Sequence, residues 1–309
     1  MRIRYRHSIL AIVGLLAVAL TVMNHLSTPL ATAGQPLTAP VAYPEALTPT
    51  AVITAASLPR AIAATAAVTA MAAAARAKAV KELAQNAPGA LARLSRQRYD
   101  REVHDYTCVF LKQERIGGKL REVEEIEVRY RDDPTTVYMI WKRNAGQAKR
   151  VLFIDSAEFV NDNGEKVARV EPAGALIRLI VSDVLMPIHG KRARQTSRRF
   201  IDEFGFRATL DLLKQYNQLG EEHRVLDFHY AGEGEIDGRL TYKLVRYLPY
   251  DGPDGIWPDA KMVMHLDQEW LLPTAVYSYA DREGQVLLGS YVHTQVKLNP
   301  GLDDEAFKF

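Results

Sequence analysis

Asp105-Tyr106-Thr107-Cys108-Val109-Phe110-Leu111-Lys112-Gln113-Glu114-Arg115, then LREVEEIEVRYR from Leu120 to Arg131, then TTVYMIWK from Thr135 to Lys142 read as three consecutive β-strands. β-Branched and aromatic residues fill the runs, and Ile116-Gly117-Gly118-Lys119 and Asp132-Asp133-Pro134 punctuate them. In the middle run Ile126, Val128 and Tyr130 alternate with Glu125, Glu127 and Arg129, which predicts one buried and one wet face. In the third run Val137, Met139 and Trp141 share one face and Thr136, Tyr138, Ile140 and Lys142 the other. Both faces are substantially apolar, so this strand is expected near the sheet centre, covered on both sides.

Working outward, Lys149 to Asp155 and Lys166 to Pro172 continue the meander around the turn Asn161-Asp162-Asn163-Gly164. From Glu222 the strand pattern returns: His223 to Tyr230, Leu240 to Leu248, Lys261 to Leu266, Thr274 to Ala280 and Val286 to Leu298. Short connections between them imply antiparallel neighbours. In the last strand Val286, Leu288, Val292, Val296 and Leu298 are expected on the core face, and Gly289, His293, Gln295 and Lys297 on the other.

Helical patterns surround these strands. Ala90 to His104 carries Leu91, Leu94, Tyr99 and Val103 among arginines and reads as an amphipathic helix on the sheet. Phe200 to Tyr216 reads as a helix bent or broken near Gly205. Gly174 to Met186 (GALIRLIVSDVLM) is apolar on nearly every side, as for a short helix that is buried or plugs an apolar cavity. Lys191, Arg192, Arg194, Arg198 and Arg199 follow, either as a solvated loop entering the next helix or as a site for anionic lipid headgroups.

The N-terminus runs Arg2, Arg4, Arg6, then the apolar Ile9 to Met23, then Ala31-Thr32-Ala33. That order is a signal peptide's, with an uncleaved anchor as the rival over residues 1–33. Residues 34–86 form an Ala/Pro/Thr-rich tether and an Ala-rich helix with few large side chains to bury. Residues 87–309 are expected to be one folded domain. The protein is thus expected to be exported, in the periplasm or cell envelope, and membrane contact would come through the N-terminal segment.

Hydrophobic residues make up 48% and charged residues 25% of the chain, ordinary for a globular protein, and the net charge of +2 points to no partner. The single cysteine, Cys108, falls between apolar neighbours in a strand and reads as a core residue. The sequence has no G-x-S-x-G, H-E-x-x-H or P-loop, and its 8 histidines lack ligand spacing. His189, His229, His265 and His293 therefore read as surface or core-edge residues. The acidic loop Asp251 to Asp259 departs from EF-hand spacing and reads as a turn-rich connection. No aromatic ladder argues for nucleic acid. Neither metal nor cofactor is expected.

Asp105-Tyr106-Thr107, Lys112 to Leu120, Arg131 to Trp141 and the ending Leu298 to Phe307 together resemble an uncharacterised family of exported bacterial proteins, a domain of unknown function, over roughly residues 90–309. More distantly, Asp267 through Pro273, Tyr279-Ala280-Asp281 with Gly284, and Asn299 to Phe307 are similar to the last strands of LolA- and LolB-like periplasmic lipoprotein carriers. That resemblance implies an α+β, mostly β fold. A strongly curved antiparallel sheet would form an incomplete barrel, with helices covering its concave side and acyl chains received between. Such a fold would be a monomeric, non-enzymatic binder of a lipid, an acyl chain or a lipoprotein; the alternative is a structural or interaction module with no ligand. The expected apolar site places Leu176, Leu179 and Ile180 opposite Phe110, Met139 and Trp141.

Overall fold

The structure, a computed structural model, describes residues 58–174 and 182–309. One antiparallel sheet dominates it. Its strands are β1 (Asp105–Ile116), β2 (Lys119–Leu120), β3 (Glu124–Arg131), β4 (Thr136–Arg143), β5 (Ala148–Ile154), β6 (Val167–Pro172), β7 (Val184–Pro187), β8 (Asp227–Ile236), β9 (Arg239–Tyr247), β10 (Lys261–Asp267), β11 (Pro273–Tyr279) and β12 (Leu287–Leu298). The order across the sheet is β7-β6-β5-β4-β3-β1-β12-β11-β10-β9-β8, with β2 paired to β1 outside that path. Two meanders therefore meet where β1 pairs with β12, and β7 and β8 remain as free edges. The sheet is an open, curved half-barrel, not a closed one.

The strand alternation read from the sequence holds in β3 and β4. Ile126, Val128 and Tyr130 of β3 are buried, and β4 is buried on both faces from Thr136 to Met139. The outer face of β4 is covered by the C-terminal tail: Phe307 packs with Tyr138 and Leu152, and the Phe309 ring lies 4.8 Å from the Arg150 guanidinium and 4.9 Å from that of Arg169. Such cation–π contacts anchor an aromatic tail on an otherwise charged surface.

Four helices flank the sheet among the described residues: α1 (Leu58–Asn86), α2 (Pro88–Glu102), α3 (Lys191–Thr196) and α4 (Phe206–Glu222). Proline at the first position of α2 costs nothing, because that N–H has no helical partner. α2 and α4 lie side by side, tied by Arg96 Nε to Asp211 Oδ1 at 2.7 Å. The Ala-rich α1 does bury its last turns. Ala84 is fully buried beside Leu91, Tyr242, Leu266 and Leu271, with Val80 and Leu83 packed around them. Small side chains are what let the two backbones approach there. None of the helices described is long and apolar enough to cross a membrane.

Two sequence expectations need correction. The helix expected over Gly174 to Met186 does not extend through its last residues: Val184 to Met186 belong to β7, with Ala168 opposite Met186. Hydrogen bonding to the open side of β6 outweighs the local helical pattern, and Pro187 ends the strand at the sheet edge, where its missing N–H is tolerated. Residues 175–181 of that segment, like the N-terminal 57, lie outside the described residues. The second correction is that β8 begins at Asp227, because His223 still caps α4. β8 then continues past Gly232 to Ile236 through a bulge between Tyr230 and Glu233.

Candidate functional site

The curl of the sheet brings β4–β7 from one half and β9–β11 from the other around a cavity of about 920 Å³, which α3, α4 and the turn Ile201–Glu203 also line. Strand alternation supplies its apolar walls. Met139 and Trp141 of β4, Val151 of β5 and Val170 of β6 face Met262 and Met264 of β10, Val276 of β11 and Leu213 of α4. Phe110 of β1 lies between, its ring 5.0 Å edge-on from Phe204. Small-molecule sites span roughly 300–1,000 Å³, so this cavity has the size of one.

A polar wall interrupts the apolar lining. Glu114 of β1, only 2% exposed, accepts from the Tyr291 hydroxyl at 2.8 Å and from Ser197 Oγ at 3.0 Å, with Lys112 Nζ at 3.6 Å. Burial and the Glu114 carboxylate push the Tyr291 hydroxyl well above its ordinary range, which keeps it a donor. Arg246 and Asp259, 3% and 1% exposed, form a buried pair at 3.2 Å. Burial pulls the Arg246 guanidinium below its usual range despite that partner. The loop after α3 spans these groups: Ser197 reaches Glu114, Arg198 donates to the Pro258 carbonyl at 3.0 Å, and Arg199 after them lines the cavity.

The sequence model of a family described as "Protein of unknown function (DUF1571)" matches residues 103–309, which include the whole sheet and both cavity-lining helices. The protein belongs to this family. No curated protein matches it in sequence. Among solved structures, a chain of the MucA/MucB complex of Pseudomonas aeruginosa is 15% identical over 70% of this chain, with a TM-score of 0.39. The DUF1571 chain spans 59% of the length of that chain. A LolA superfamily protein from Nitrosomonas europaea is 12% identical over 71% of this chain and 97% of its own, with a TM-score of 0.31. The Mycobacterium tuberculosis lipoprotein LppX is 13% identical over 71% and 99%, with a TM-score of 0.37.

Of the residues expected from the sequence to form an apolar site, the DUF1571 fold brings Phe110, Met139 and Trp141 together on the cavity wall. Leu176, Leu179 and Ile180 lie outside the described residues. The sequence reading missed the polar wall, whose members come from five separate places along the chain. Only Arg198 and Arg199 carried a local signal, as the end of the basic run.

His293 is a correction. Expected on the outer face of β12, it is 5% exposed and lies among Phe110, Phe204 and Phe206, with ring centroids 4.9, 5.6 and 4.7 Å away. The cause is Gln295, whose φ of 51° marks an irregularity in β12 opposite the register shift between Thr107 and Val109. One extra residue there moves Val296 and Leu298 onto the face that Tyr291 and His293 already occupy. Neither ring nitrogen makes a well-formed hydrogen bond, and burial lowers the imidazole pKa to about 4, outweighing the Thr274 backbone, which favours the charged ring.

Proposed function

We propose that this protein is a non-enzymatic carrier or receptor of the cell envelope that holds an apolar ligand, an acyl chain of a lipid or lipoprotein, between its half-barrel and the covering helices. The observation that carries this reading is the cavity of about 920 Å³ walled by methionine, aromatic and branched side chains from both halves of the sheet. A filled core of these side chains would leave no such volume, because protein interiors pack to crystal-like density. Methionines suit the role, since their flexible thioethers adapt to irregular chains. Export rests on the basic, apolar, small-residue order at the N-terminus.

The test is saturable binding of the methyl ester of cis-parinaric acid, a neutral fluorescent acyl chain, to the purified protein, with mass spectrometry of lipids extracted from the same preparation. One-site binding that Met139→Glu weakens at least tenfold, by setting a carboxylate against the chain, is the expected result. Absence of saturable binding in the wild type, with no lipid extracted, would replace this reading by a structural or interaction role.

A further inference from the structure

Arg199 and Arg246 line the cavity together and are close enough for each charge to act on the other. A guanidinium carries five N–H donors and no acceptor. Arg246, nearly fully buried, spends only Nη2 on Asp259, and its Nε has no hydrogen-bond partner. The half-buried Arg199 side chain makes no ion pair or hydrogen bond among the described residues. Two carboxylates stand near it, and both are engaged: Asp259 with Arg246, and Glu203 with the Phe200 backbone N–H at 3.0 Å. Glu114, the third acidic group of this wall, is taken by Tyr291, Ser197 and Lys112. The Arg246 Nε and the Arg199 fork therefore still have N–H donors to spend, at a place where unpaired polar groups are costly.

We propose that Arg199, supported by Arg246, binds the oxyanion headgroup of the cavity's ligand, so that the ligand is an anionic single-chain amphiphile. This rests on the apolar-ligand reading above and narrows it. A planar guanidinium fork matches a carboxylate or phosphate through two parallel N–H···O bonds. The acyl chain would then run from that wall along Met262, Met264 and Met139, which share the cavity with it. Arg246 keeps Asp259 as counter-ion, so it shapes the site and adds a donor, while Arg199 makes the principal contact.

The experiment compares cis-parinaric acid with its methyl ester on the full-length wild-type protein at pH 8 and low salt. The expected result is at least tenfold tighter binding of the acid. Arg199→Met should abolish that preference, read as the ratio of acid to ester affinity within the variant, while Arg199→Lys should keep part of it. Equal affinity of the wild type for acid and ester would overturn the headgroup assignment and leave the apolar cavity standing. Failure of both probes to bind would overturn the underlying reading instead. Competition by oleate against oleoyl lysophosphatidate then tells a carboxylate from a phosphate headgroup: the tighter competitor names the source. A neutral monoacylglycerol competing as well as either would again overturn the assignment. The wild-type comparison stands even if a variant fails to fold.

Discussion

Gly205 sits directly against Tyr106: a β-carbon on Gly205 would lie 2.7 Å from the tyrosine hydroxyl oxygen and 3.0 Å from the Tyr130 ring. Gly205 precedes α4 with φ of 107°, and this conformation lets Phe206, the first residue of the helix, drop into the core 4.7 Å from the Tyr106 ring. Tyr106 in turn stacks on Tyr130 at 4.7 Å, so the glycine sets the height at which α4 rides over the sheet. Gly205→Ala is expected to destabilise by about 2–4 kcal/mol, from backbone strain plus overpacking. The urea midpoint measures it. Tyr106→Phe in the same background should recover part of the loss, because it removes one clashing atom and leaves the strain.

His293 makes stability depend on pH in the acid range. Burial holds its folded pKa near 4, against an ordinary 6.5, so the unfolded chain binds the proton more readily. Its contribution is therefore complete above pH 6.5 and is lost as the pH falls toward 4, a change of about 3 kcal/mol. Unfolding free energies measured between pH 7 and 4 should show this slope in the wild type. His293→Leu should flatten it, and an unchanged slope in that variant would assign the acid sensitivity to other groups.

Cys108 is buried, and burial alone raises its thiol far above the ordinary range. The thiolate is the reactive form, so a maleimide should label the native protein only at the rate of unfolding. Labelling within minutes in native buffer, at a rate independent of added denaturant, would contradict this.

The last turns of α1 are part of the folded unit. Beginning the chain at Ala87 removes Ala84, Val80 and Leu83 from their packing on Leu91 and Tyr242, and removes the Ala87 N–H to Leu83 carbonyl bond of 2.9 Å. A chain that starts there is expected to be less stable by about 1–3 kcal/mol than one that starts at Leu58, judged by the apolar area exposed. Coincident urea curves for the two chains would show α1 to be dispensable.

The sequence by itself determined the strands and most of their facing. Period-2 patterning in Ile126, Val128 and Tyr130, and two-sided hydrophobicity in β4, are local properties, and burial follows them residue by residue. Ala84 shows where such reading stops, because one alanine in an alanine-rich helix carries no pattern that reveals what it meets. His293 shows a second limit: one irregular residue at Gln295 reverses the phase of β12, and no periodicity announces it. The pairing of β1 with β12 and the curl that follows were decided only by the tertiary structure, since that pairing joins segments nearly two hundred residues apart. The polar wall depends wholly on that closure. Arg199, Arg246, Asp259 and Tyr291 carry no shared pattern in sequence, and they become a site, with Glu114 behind Tyr291, only because the curved sheet brings them to one cavity.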